Sequence, residues 1–188
     1  SADLQHWEAT CALIRTLLHD RHLTPAVAAP ASAAPAPPAC VFDLRDAALP
    51  EPDDTLRTMP QFLRVRAAVA RLTKNAPAAV IGNRRMKTAV ACARTAGGYA
   101  LILSAHALTP AHHNRLSALL HHITPHLRAD EHLAAISPEQ NVHLLANSSL
   151  DALAALVLAI QHRVFELPHD AVMPIEYSHA GTVTAHRA

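Results

Sequence analysis

The sequence contains very little glycine, and this scarcity excludes the common phosphate-binding loops. Four of the 188 residues are glycine. Neither GxGxxG nor GxxxxGKS/T occurs, and both patterns need glycine where the backbone turns sharply or approaches a phosphate group. The sequence therefore excludes a standard dinucleotide site or P-loop, and we predict no cofactor.

Cysteine is also scarce, and its placement argues against a disulfide framework. Cys11, Cys40 and Cys92 are odd in number and widely separated, so no CxxC metal or redox motif is present. This usage is typical of a reducing compartment, and we expect a cytoplasmic protein.

Aromatic residues are scarce as well, and the chain has almost no net charge. Aromatics make up 3% of the chain and the formal net charge is +1, whereas nucleic-acid grooves are basic and carry stacking aromatics. The sequence thus disfavours nucleic acid as a partner. Lys74 and Lys87 are the only lysines, and the preference for arginine indicates a GC-rich, bacterial genome. The most apolar helical stretch, 149–165, is shorter than the roughly 20 residues of a membrane span, so we predict no membrane segment.

Five short apolar runs alternate with longer stretches of helical periodicity. They are CVFDL (40–44), AAVIG (78–82), YALILSA (99–105), VHLLA (142–146) and VMPIEY (172–177). Strands that are buried on both faces of a parallel sheet read as continuous apolar runs. The sequence therefore predicts an α/β fold in three layers, with a mostly parallel five-stranded sheet in receiver-like or flavodoxin-like order. Pro174 confines the last run to an edge or to a strand end.

Helix signals lie between these runs. Thr109–Pro110 and Thr124–Pro125 both place a capping residue before a proline, which predicts two helix starts. Residues 147–149 offer a cap for the last long helix. Gly97–Gly98 predicts the end of a helix that follows the second run. The stripe of that helix is Met86, Ala89, Val90 and Ala93.

The first 39 residues differ in composition from the rest. Residues 1–23 contain an amphipathic helix whose apolar stripe consists of Leu4, Trp7, Cys11, Ile14 and Leu18. Residues 24–39 are rich in alanine and proline, which predicts a semi-rigid tether before a single α/β domain at 40–188. The arm either folds back on its own domain, which we favour, or docks on another protein.

The helix at 149–165 is apolar on nearly all sides. Leu150, Leu153 and Val157 lie on one side, whereas Leu156 and Leu158 fall outside that arc. We expect the second side to be covered either by the N-terminal arm or by a second subunit in a homo-oligomer.

Candidate binding residues follow the predicted strands, because ligands of open α/β sheets bind beyond the carboxyl ends of the strands. The strongest is the segment GNRRMK, where a helix N-terminus beside three cations would favour a phosphate or carboxylate. A solvated charged face produces the same letters and is the more common case. The candidate ligand-binding residues are Asn83, Arg84, Arg85, Lys87, Asp43, Asp46, Ser104 and His106.

Three further chemistries have weaker support. Ser104 and His106 with Asp43 contain a nucleophile, a base and an acid, but no GxSxG elbow holds the serine. Acidic residues at 43–54 have the oxygen ligands that Mg²⁺ prefers, although a proline-rich loop more often leaves acids solvated. Histidines crowd the segment 106–132 without an HExxH or HxH arrangement, so we predict structural or solvated histidines and no metal site.

The order of elements over roughly residues 40–180, with an acid at the end of the first strand, resembles response-regulator receiver domains in topology. Ser104 stands where a receiver has its phospho-accepting aspartate, and no lysine follows Lys87. The resemblance thus implies a receiver-like domain that cannot be phosphorylated.

Two functions remain in view. The first is a non-catalytic regulatory or assembly module that acts through protein contacts, either with a partner or by self-association, using the arm and the helix at 149–165. The alternative is an enzyme or sensor for a small anionic ligand at the strand ends. The absence of catalytic motifs favours the first.

Overall fold

Six strands form one mixed sheet in the computed structural model of the chain, which describes residues 39–73, 76–83 and 85–178. The strands are β1 (Ala39–Asp43), β2 (Ala78–Ile81), β3 (Val90–Thr95), β4 (Gly98–Ser104), β5 (Asn141–Ala146) and β6 (Ile175–Ser178). Their order across the sheet is β1-β5-β4-β3-β2-β6. β1 and β5 are parallel, and the other four neighbouring pairs are antiparallel.

The prediction of a mostly parallel five-stranded sheet is therefore wrong. Each of the five apolar runs contains all or part of a strand, but a sixth strand, β3, occupies the place of the helix predicted after the second run. Ala96 and Gly97 form the turn of the β3–β4 hairpin, and Gly98, the first residue of β4, pairs with Thr95. Burial on both faces explains the continuous apolar letters, and such burial does not require parallel neighbours.

Within the described ranges, five α-helices connect the strands. They are α1 (Asp54–Thr58), α2 (Pro60–Ala70), α3 (Pro110–Ile123), α4 (Ala129–Ala134) and α5 (Leu150–Ala159). A 3₁₀ turn covers Ala105–Ala107, and α5 continues as a π-helical turn over Ile160–Val164.

Side-chain caps mark where α3 and α5 begin. Thr109 caps α3 and Ser149 caps α5, each accepting a bond from the backbone three residues on, as the sequence predicts. The helix start predicted at Thr124–Pro125 is wrong, because α3 ends there. A residue before proline is pushed out of the helical region, and α4 begins only at Ala129.

The helix α5 is apolar on most sides because the domain encloses it. It packs beside α2, and its π-helical extension packs against α3. Six of its ten residues are buried, including Leu156 and Leu158. The described part of the chain thus covers both sides of the helix, and no second subunit is needed for that purpose.

The second face of the sheet, opposite the helices, has its own small apolar cluster. All buried apolar side chains of the α-helices belong to the main core, together with sheet residues such as Phe42, Leu101 and Leu144. Among the described residues, no helix contributes to the second cluster, so this part of the chain forms two layers rather than the predicted three. The second face consists of Ala78, Val80, Ala91, Ala93, Ala100 and Ile102.

Other expectations concern segments that the structure does not describe. The arm at 1–23 and the tether up to residue 38 lie outside the described residues, as does Arg84. Within residues 39–178, apart from the gaps, no helix is long and apolar enough to cross a membrane.

Candidate functional site

The structure divides the predicted binding residues between opposite ends of the sheet. Asp43 ends β1, whereas Ser104 ends β4, which runs antiparallel to the β1–β5 pair. Asp43 is in register with Leu145 and Ser104 with Asn141. At about 3.3 Å per residue, these positions are roughly 13 Å apart along β5. The convergence of strand ends that a parallel sheet would provide does not occur.

At the first end, Asp43 is held by Arg45. The carboxylate accepts bonds from the Arg45 backbone N–H at 3.0 Å, from Nε at 2.9 Å and from Nη2 at 2.7 Å. These hydrogen bonds lower the pKa of Asp43 to about 2. Both side chains are roughly half exposed, so the pair fixes the turn after β1 and adds little stability.

The remaining acids of this loop have structural contacts or face solvent. Asp53 caps α1 by accepting from the Leu56 N–H at 2.8 Å. Asp54 lies in the first turn of that helix, 3.9 Å from Arg57, and Asp46 is exposed. In the part of the chain that the structure describes, no three metal-binding side chains cluster.

At the other end, the described residues of the segment GNRRMK lie in a hairpin loop between β2 and β3. Asn83 Oδ1 accepts from the N–H groups of Arg85 at 2.9 Å and Met86 at 3.2 Å. Lys87 has a positive φ of 58°, and its side chain is exposed like that of Arg85. The loop leads into a strand, so the helix N-terminus expected to bind an anion is not there. Two of its N–H groups already donate to Asn83.

Ser104 and His106 lie at the same end as this loop. Continuing the β3–β4 register places Ser104 opposite Ala89, next to the loop. His106 follows in the exposed part of the 3₁₀ turn. The structure thus brings Ser104, His106, Asn83, Arg85 and Lys87 to one end of the sheet.

The histidine-rich segment provides structural contacts. His112 Nδ1 accepts from the Thr109 N–H at 3.1 Å, completing a capping box, and its ring packs edge-on against Phe165. His132 packs edge-on against Phe42. Burial lowers the pKa of His113, and the nearby His112 adds to that effect.

Sequence reasoning missed the edge of the sheet at β1. Beside this strand lies an open cleft of about 340 Å³, lined by Cys40, Val41, Glu131, His132, Ala135 and Gln140. Exposed and buried residues alternate along this strand: Val41 is 53% exposed and Asp43 is exposed, whereas Phe42 and Leu44 are buried. Alternation of buried and exposed residues is the signal of a half-buried edge strand. The apolar nature of Val41 hid that signal.

Among the residues that the structure describes, no strand pairs with β1 on the side away from β5, and this side is the open edge of the described sheet. The backbone of β1 fixes which groups face that edge. The Leu44 N–H donates to the Leu145 carbonyl at 2.8 Å, so it points toward β5. Successive residues of a strand point their N–H and C=O groups to alternate sides. The N–H groups of Val41 and Asp43 therefore point away from β5, toward the open edge.

Comparison with known proteins adds no relative. No protein-family model, curated protein or solved structure matches this chain.

Proposed function

We propose that this protein is a non-catalytic regulatory or assembly module that binds an extended segment of a partner protein along β1. The observation that carries the proposal is Val41, an exposed apolar residue whose N–H faces the open edge of the sheet. Extended peptides commonly bind by adding a strand to such an edge. Backbone bonds then supply affinity, and alternate side chains supply specificity.

The cleft beside β1 supplies the side-chain part of the recognition. It is bordered by Glu131, His132 and Ala135 in and just after α4, and by Gln140 before β5. A strand paired with β1 would direct every second side chain toward the helix layer, where the cleft lies. The other side chains of the bound peptide would lie on the opposite face of the sheet. An apolar one among them would cover Val41 there.

The occupant is an extended peptide rather than a second copy of the chain. Two copies joined by antiparallel β1 strands would place their helix layers on the same side of the joined sheet. The two α4 helices would then face each other through Glu131 and His132, which are exposed and polar. Such side chains are depleted from the centres of stable interfaces.

The anionic-ligand alternative has less support. Arg85 and Lys87 are exposed cations at one end of the sheet, with Ser104 nearby. Two of the loop N–H groups that an anion would use are bonded to Asn83, and Asp43 lies at the other end of the sheet.

The test uses a random peptide library panned on the full chain. Val41→Pro removes the outward N–H while leaving the bonds to β5 in place, because proline is tolerated at an edge where the N–H faces solvent. Val41→Thr is the matched control, since it keeps the N–H and the branched shape. Circular dichroism verifies that both variants fold.

We expect selected peptides to have alternating apolar residues and to bind the threonine variant nearly as well as the unchanged chain. The proline variant loses about tenfold in affinity, which corresponds to one backbone hydrogen bond of about 1.4 kcal/mol. Failure to select any peptide overturns the proposal, and so does equal binding by the folded proline variant.

A further inference from the structure

The second face of the sheet is buried although the described helices all pack on the other side. Ala78, Ala91, Ala93 and Ala100 are at most 1% exposed, and Ile102 is 2% exposed. Beside them, His143 of β5 is 3% exposed. Side chains on neighbouring strands, about 4.8 Å apart, shield one another laterally, but they do not cover the ends that point away from the sheet. The second face therefore needs a covering layer.

We propose that this layer is the amphipathic segment 3–23 of the same chain, packed as a helix across the second face. This inference is independent of the proposed function, because it concerns the face of the sheet rather than its β1 edge.

The two surfaces complement each other in size and polarity. Four of the six residues of the second face are alanine, so the surface is low and leaves room for bulky partners. The stripe of the segment provides such partners, with Trp7 and Ile14 among its apolar residues. Asp3, Glu8 and Arg15 lie outside the stripe and would face solvent.

The dimensions also agree. From Leu4 to Leu18 a helix rises roughly 21 Å at 1.5 Å per residue. The four strands from β2 to β5 span roughly 14 Å between their outer axes at about 4.8 Å per spacing. One helix is thus long enough to cross the whole patch.

The connection to β1 permits this arrangement. Residues 24–38 separate the segment from Ala39, where β1 begins. An alanine- and proline-rich tether extends roughly 3.1 Å per residue, which gives about 45 Å of reach. Every point of the second face lies within that distance of the start of β1.

Trp7 is the only tryptophan in the chain, so its fluorescence reports on this segment alone. In the full-length chain we expect blue-shifted emission and several-fold less quenching by acrylamide than in the urea-unfolded chain. The signal should not change over a hundred-fold range of protein concentration. Trp7 emission and quenching equal to those of the urea-unfolded chain overturn the proposal. Burial of Trp7 that depends on protein concentration also overturns it, because it indicates that a second copy covers the face.

Two substitutions locate the contact. Ile102→Glu places a charge in the second face and should shift Trp7 emission to the red, whereas Leu63→Glu should leave it unchanged. Leu63 is the matched control because it lies on α2 in the helix layer and is 52% exposed. Val80→Thr, which is nearly isosteric, serves if the Ile102 variant does not fold, and it should increase quenching. Unchanged Trp7 fluorescence in a folded second-face variant overturns the proposal.

Discussion

The side-chain amide of Gln161 donates a hydrogen bond to the backbone carbonyl of Ile81 at 3.0 Å, deep inside the protein. Gln161 lies in the π-helical turn after α5 and is completely buried. Ile81 is the last residue of β2. This bond joins the helix layer to the sheet where the β2–β3 loop begins.

Replacing Gln161 by leucine should destabilise the protein by about 0.5–1.5 kcal/mol, because the Ile81 carbonyl loses one of its hydrogen bonds. Urea unfolding measures the change. Gln161→Glu should cost more, since it removes the donor and also places a carboxylate in a buried site. A leucine variant as stable as the unchanged chain would show that this bond does not anchor the turn.

Gly82 should tolerate no side chain. Its φ is +116°, and an added Cβ would lie 2.6 Å from the Thr88 carbonyl oxygen. Gly82→Ala therefore forces strain and a backbone shift, which we expect to cost about 1–3 kcal/mol. The midpoint of thermal unfolding reports this loss.

Gly97→Ala is the control for that experiment. An added Cβ at Gly97 would lie no closer than 3.8 Å to its nearest neighbour, Arg45 Nη1. Its effect should stay within about 0.5 kcal/mol. Equal losses in the two variants would contradict the geometry of the β2–β3 loop.

His143 should make the protein sensitive to acid. Burial lowers the pKa of His143 from 6.5 to about 4, and its register neighbours on the two adjacent strands, Val41 and Ile102, are apolar. Above pH 6.5 the ring is neutral in both the folded and the unfolded chain. Between pH 6.5 and pH 4 only the unfolded chain binds the proton. The free energy of unfolding therefore decreases as the pH is lowered through this range, by up to about 3 kcal/mol.

His143→Leu should remove this part of the pH dependence. Urea unfolding at a series of pH values measures the difference from the unchanged chain, so other acid-sensitive groups cancel. His122→Leu is the control, because His122 is exposed on α3. If the free energies of unfolding of the His143→Leu variant and the unchanged chain differed by the same amount at every pH from 4 to 7, the burial of a neutral His143 ring would be contradicted.

The sequence predicted where most strands lie but not how they pair. An apolar run such as 142–146 shows that both faces of a strand are buried, and it carries no information on the direction of its neighbour. The segment Val90–Thr95 consists of small and mixed residues whose spacing also fits a helix. Tertiary pairing with β2 and β4 decided in favour of a strand.

The same limit applied to the candidate site. Grouping Asp43 with Ser104 required parallel strands, and the antiparallel pairing of β4 with β5 places them at opposite ends. Caps were easier to predict, since Thr109 and Ser149 act on backbone groups only three residues away. The exposure of Val41 depends on its place at a sheet edge, which only the strand order reveals.

Residue-resolved amide hydrogen exchange tests the β1 edge most directly, using the full chain with and without a peptide selected from the library. The amides of Val41 and Asp43 should become strongly protected when the peptide binds. The amide of Phe42, which faces β5, should change little. Protection confined to the loop around Arg85 and Lys87, or no change at Val41, would contradict strand addition at β1.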